Sequence, residues 1–203
     1  HVRHTRKDKQ PSRTYAIIDE QSNCSVARKD LLDYFEVNTE PEQYSLASCS
    51  GQFTMTGRRT KGFIIESLDD NYCIDLPTLI ECDSIPNNRQ EIPTNEIAQA
   101  HPHLQSIAHM IPRLDKNAEI LLLIGRDAVE AHHILEQRLG SHNQPFAQKL
   151  KMGWVIVGET CLDGAHYPST VNAMKTFVQQ DGRPSILEPC DNSIHISEKL
   201  STS

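Results

Sequence analysis

The longest apolar run in this chain is Ile120 to Ile124, five residues closed by Gly125. A run that short falls well below the ~20 apolar residues a membrane-spanning helix needs, so it reads as a core strand. The core must therefore come from brief elements separated by turns. Thr14 to Ile18 is the first, and it drives straight into Asp19 and the polar loop Glu20-Gln21-Ser22-Asn23. Val26 to Phe35 has helical spacing, with Ala27, Leu31 and Phe35 four residues apart. The stretch YSLASCSGQFTMTG (44–57) alternates on either side of Ser50-Gly51 and predicts a β-hairpin. Phe63, Ile64 and Ile65 predict a strand, paired with Tyr72 to Leu76 across Asp69-Asp70-Asn71. This spacing of strands and turns indicates a mainly β unit with a few short helices.

Further along, SIPNNRQEIP (84–93) is a loop bracketed by prolines. His103 to Ile111 places Leu104, Ile107, Ala108 and Ile111 on one helical face. EILLLIGRDAVEAHHIL (119–135) reads as strand, Gly turn and helix, and 141–151 as a polar link. MGWVIVGE (152–159) is a last strand carrying Trp154, expected in a core or interface. Three regions result. Residues 1–13 form a basic arm (Arg3, Arg6, Lys7, Lys9 and Arg13 against Asp8) expected to be loose. Residues 14–160 form the folded domain. Residues 161–203 lose periodicity, carry Pro168, Pro184 and Pro189, and are expected to be an extended linker toward a further domain. The chain opens on His1 without an initiator Met or a signal peptide, as a segment of a longer polypeptide would.

Charge narrows the partners. A net charge of -7 lacks the Lys and Arg excess that replaces counterions on phosphate, which disfavours a nucleic-acid-binding role. The six cysteines include no CxxC pair, and the histidines no HExxH. Neither a metal site nor another cofactor is expected, and reduced thiols in an intracellular protein are.

Two features belong together: the strand ending in Asp19, and the later apolar strand ending in LLLIGRD (121–127). In order and spacing they resemble the plan of retropepsin-like aspartic proteases, in which an apolar strand delivers a catalytic Asp in a D-[ST]-G loop. A second apolar strand ending in Gly, often followed by Arg, passes beneath that loop. With AIIDEQSN, GFIIES, LPTLIECDSIPNNRQEIP and PFAQKLKMGWVIVGE also present, residues 14–160 resemble the protease region of a BEL/Pao-type retrotransposon polyprotein.

The resemblance implies a closed retropepsin-like barrel over 14–135, with Asp19 as the catalytic carboxylate. Ser22 would donate to it, Gly125 and Arg126 would support the loop, and Ser50 and Gly51 would form the tip of a substrate-covering flap. It further implies a polyprotein peptide as substrate and a homodimer, because such chemistry needs two carboxylates sharing one proton and one chain offers a single Asp in the right context. Glu20 cannot be the second, since adjacent residues on extended backbone point to opposite sides. Asp127 reads instead as the start of the following helix, where an acid favours the dipole.

The loop departs from D-[ST]-G-[ST]. Glu20 replaces the bracing hydroxyl, and Gln21 brings a Cβ to the position of the permissive Gly. Two readings follow: an aspartic endopeptidase of the polyprotein, or a catalytically inactive folded spacer. Asp19 as a plain strand terminator or helix cap is the structural alternative.

Overall fold

The computed structural model describes residues 1–48, 51–69, 71–89 and 92–158. The predicted extension over 161–203 lies outside them. Among the described residues, thirteen strands, two α-helices and short 3₁₀ segments make a mainly β structure. No helix among the described residues is long and apolar enough to cross a membrane.

The central sheet has five strands. They are β2 (Tyr15–Asp19), β3 (Val26–Ala27), β6 (Arg59–Thr60), β9 (Leu79–Glu81) and β10 (Ile120–Gly125), in the order β2-β10-β3-β9-β6. Strand β10 runs parallel to β2 and antiparallel to β3, so it is paired on both edges. Its two faces are also covered, by different core clusters, and a strand covered on both faces has no place for a polar residue, hence the unbroken apolar run. Leu122 and Ile124 enter one core cluster with Leu31, Leu32, Phe35 and Phe63, while Leu123 and Ile120 enter a second with Val26, Ile80 and Ile85.

Three smaller sheets flank it. β1 (Val2–His4), β7 (Phe63–Glu66) and β8 (Cys73–Asp75) form one, and β4 (Glu42–Ser48) and β5 (Gly51–Gly57) form the hairpin. The third comprises β11 (Glu136–Arg138), β12 (Phe146–Leu150) and β13 (Gly153–Val157). Its inner face packs Ala147, Ile156 and Trp154 on Leu104, Ile107 and Ile111, with the Arg138 guanidinium 5.8 Å from the Trp154 ring centroid.

Several expectations are corrected. The barrel implied over 14–135 is not closed: among the described residues the strands pair as four separate sheets, with β2 and β6 at the two ends of the central one. The first predicted helix is shorter: Val26 and Ala27 are taken by β3, leaving α1 as Lys29–Tyr34. Residues 103–111 form a 3₁₀ segment, Gln105–Met110, preceded by an α-helix the sequence did not suggest, α2 (Asn95–Ala100). The helix after Gly125 is a single 3₁₀ turn, Val129–His132, and the polar link over 141–151 contains β12.

The N-terminal arm differs most. Val2 is 2% exposed and lies opposite Ile65, and its backbone also pairs with Ser12. The basic residues hid one apolar position and one buried aromatic. His4 is 8% exposed, edge-on to Phe63 at 4.8 Å, and Phe63 is in turn edge-on to Phe35 at 5.4 Å. Such rings attract through their quadrupoles.

Burial, reinforced by Lys7 and Arg6, holds His4 below the usual imidazole value, and a hydrogen bond to the Lys61 backbone only partly offsets this. The unfolded chain therefore takes up the proton first. The stability His4 contributes is complete above about pH 6.5 and is lost as pH falls through that value toward the folded pKa. Melting curves between pH 7 and pH 5 should show a steeper loss of Tm for the wild type than for His4→Phe. Equal slopes would mean that His4 titrates as it does in the unfolded chain.

Candidate active site

The Asp19 loop begins where β2 leaves the sheet. In the parallel register Ile18 lies beside Ile124 and Asp19 beside Gly125, so the carboxylate and the glycine turn share the end of two neighbouring strands. Asp19 is half-buried. Its Oδ1 accepts the Gln21 N–H at 2.9 Å, and its carbonyl accepts the Ser22 N–H at 3.2 Å. This side-chain-closed turn is one that Asp favours.

The helix-cap alternative does not hold, because α1 starts only after Arg28. Gln21 also meets no backbone obstacle. The non-glycine residues with positive φ are Glu36 and Asn143, so among the described residues the loop runs without a left-handed position at Gln21.

Ser22 is a correction. Its hydroxyl donates to the Cys24 carbonyl at 2.7 Å, and so braces the loop onto itself instead of bonding the Asp19 carboxylate. The Ser22 carbonyl accepts the Arg126 N–H at 3.0 Å. Arg126 thus joins the two loops through its backbone.

Gly125 has the strictest requirement. A Cβ there would lie 2.6 Å from the Cys24 carbonyl oxygen and 2.9 Å from that of Ser22, both backbone atoms that cannot swing away. The turn fits under the Asp19 loop because glycine has no side chain. Above it, Ser25 is fully buried and accepts the Gly125 N–H at its hydroxyl, 3.1 Å away. Ser25 then donates its hydroxyl and its N–H to the two oxygens of Asp127, at 2.7 and 3.0 Å. His132 Nε2 lies 2.8 Å from the Gly125 carbonyl; since a carbonyl only accepts, that nitrogen carries the proton.

Asp127 is therefore a clasp between the two loops and not a helix-starting acid. Ser25, Asp127 and His132 carry no local sequence signal, because the Ser25–Asp127 pair spans 102 positions. Burial, and next the nearby Asp127 charge, push the Cys24 thiol above its usual value, so it stays a protonated packing group.

The hairpin stands apart from this cluster. Ser50 lies outside the described residues, and Gly51, at φ 133°, opens β5. The root is what is fixed. The Tyr44 hydroxyl donates to the Glu81 carbonyl at 2.8 Å, the Arg58 guanidinium pairs with the Glu81 carboxylate, and a Cβ on Gly57 would lie 2.5 Å from the Glu81 carbonyl oxygen. Tyr44 and Leu46 pack on the cluster that also holds Tyr15 and Ile17 of β2.

Of the predicted site residues, the structure thus gathers Asp19, Ser22, Gly125 and Arg126 and leaves Gly51 on the separate hairpin. Among the described residues no three His, Cys, Asp or Glu side chains converge as a metal site would require. Comparison with protein families, curated proteins and solved structures gave no match.

Asp127→Ala would leave the buried Ser25 N–H and hydroxyl without their acceptor, a loss of about 1–3 kcal/mol. Thermal unfolding should show the lower Tm, with Asp127→Asn falling less because one carbonyl acceptor remains. Gly125→Ala should be at least as damaging, since overpacking against backbone typically costs about 1–3 kcal/mol. Wild-type melting of either alanine variant would refute the interlock.

Proposed function

We propose that this chain is the protease region of a BEL/Pao-type retrotransposon polyprotein, a retropepsin-like aspartic endopeptidase that works as a homodimer on polyprotein peptides. The observation that carries this reading is the placement of Asp19 at the end of β2, beside Gly125 of a parallel strand, with the two loops interlocked. A carboxylate held on a rigid strand end in a turn of its own making is positioned for chemistry.

Two copies related by a two-fold axis bring their Asp19 side chains together. Like charges about 3 Å apart cannot both ionise, so the pair holds one proton between them. The ionised member takes a proton from water as it attacks the peptide carbonyl. The protonated member donates to the carbonyl oxygen, and the pair later returns a proton to the leaving amine. The Gln21 N–H on Oδ1 ties that carboxylate oxygen to its own loop.

The departure at Glu20 and the Ser22 hydroxyl spent on Cys24 favour the second reading, an inactive spacer, because Glu20 lacks the usual hydroxyl and that of Ser22 is used within its own loop. Self-cleavage of the chain with its native flanks separates the two. Asp19→Asn should lower the rate by about 10²–10⁴-fold or more. Wild-type activity should fall more steeply than linearly on dilution, as each subunit supplies half a site. Glu20→Thr with Gln21→Gly should leave activity unchanged or raise it. A dimer that cleaves no polyprotein-derived peptide, while that double variant does, would assign the native loop to the inactive class. Silence of both would remove the protease reading.

A further inference from the structure

The chemistry of paired carboxylates makes no use of His132, yet this side chain is fixed on the Gly125 turn. His132 ends the 3₁₀ segment Val129–His132, and its Nε2 donates to the Gly125 carbonyl at 2.8 Å. Ala128 and Ala131 are buried in the main core cluster and pin that segment, so the next side chain reaches back seven positions to Gly125. Of the two adjacent histidines, His132 is half-buried and His133 exposed. The His132 side also borders a groove of about 820 Å³ that touches Ile18 and Glu20, the two neighbours of Asp19 in the chain.

The carbonyl that His132 holds belongs to the peptide unit whose other end braces the Asp19 loop. The Gly125 C=O and the Arg126 N–H lie in one plane, because a peptide bond resists twisting. The carbonyl accepts from His132 and, at 3.1 Å, from the Ala128 N–H, while the N–H donates to the Ser22 carbonyl at 3.0 Å. Ser22 in turn gives its own N–H to the Asp19 carbonyl at 3.2 Å, within the turn whose Gln21 N–H holds Asp19 Oδ1 at 2.9 Å. A donor on a peptide carbonyl polarises the group and strengthens donation from its N–H. The Ala128 bond only closes the local turn. His132 anchors the same carbonyl from the far end of the 3₁₀ segment, and so ties the plane of the peptide to the core.

We propose that His132 is a positioning residue for the Asp19 carboxylate, acting through the Gly125–Arg126 peptide. It fixes the plane of that unit, and with it the Ser22 carbonyl and the turn that carries Asp19. Its effect on catalysis rests on the reading of Asp19 as the catalytic group.

Two variants of the full chain separate the donor from the ring. His132→Phe keeps a ring and removes the N–H, whereas His132→Gln offers an amide N–H at about the same reach. Hydrogen exchange of the Gln21 amide reports on the Asp19 turn whether or not the chain cleaves. It should be roughly tenfold faster than wild type in His132→Phe and close to wild type in His132→Gln, with Leu122 and Leu123 of β10 unchanged in both. On a polyprotein-derived peptide, kcat should fall roughly three- to tenfold in His132→Phe at unchanged KM, and His132→Gln should recover it. Equal Gln21 exchange in wild type and His132→Phe would overturn the proposal, as would equal loss in both variants. Faster exchange at Leu122 and Leu123 too would make the effect one of global stability and overturn it. So would a cleaving wild type whose kcat is untouched by His132→Phe. A wild type that cleaves nothing, while Gln21 responds as expected, would remove the protease reading and leave His132 as the group that positions the Asp19 turn.

Discussion

The structure depends on the close approach of two loops at Gly125. The turn between β10 and the following 3₁₀ segment lies so near the Ser22 and Cys24 carbonyls that a methyl group there would collide with backbone. Contact that tight needs the polar groups on both sides to be paired, and the Ser25–Asp127 clasp with the Arg126 N–H supplies that pairing. Once the loops are locked, β2 and β10 have one register, and Asp19 has one position. The core clusters on the two faces of β10 then follow from the alternation of its side chains.

Much of this was legible because it is local. The apolar run at 120–124, the hairpin about 50–51 and the pairing of Phe63–Ile65 with the following strand all rest on patterns within a few residues. The same holds for the Asp19 strand end. What stayed hidden depends on distant partners. Ser25 reads as an ordinary loop serine until Asp127 is placed on it. His4 reads as part of a basic tail until Phe35 and Phe63 surround it. In the 141–151 stretch the adjacent polar pair Gln148-Lys149 hid a strand in which Phe146 and Leu150 share one face and Ala147 lies on the other.

The hairpin is rooted at one level and otherwise held by its own pairing. Three different kinds of contact converge on Glu81: a phenol on its carbonyl, a guanidinium on its carboxylate, and the bare backbone of Gly57. Beyond that root β4 and β5 pair mainly with each other, and Phe53 is 47% exposed toward the tip. A two-stranded ribbon held in this way is fixed to the rest of the structure chiefly at the level of Glu81.

The parallel pairing of β2 with β10 also sets an order of events. Thr14 meets Glu119 across 105 positions, so the ends of a very long loop must come together before β2 acquires its neighbour. Closing such a loop is entropically unfavourable and gains nothing until the sheet forms, which makes this contact a late one in folding. During synthesis the Asp19 strand leaves the ribosome long before Gly125 exists, and it stays without its brace until most of the domain has been made. The polypeptide thus carries a built-in delay: the carboxylate is present early, but its geometry is completed only after more than a hundred further residues have been added.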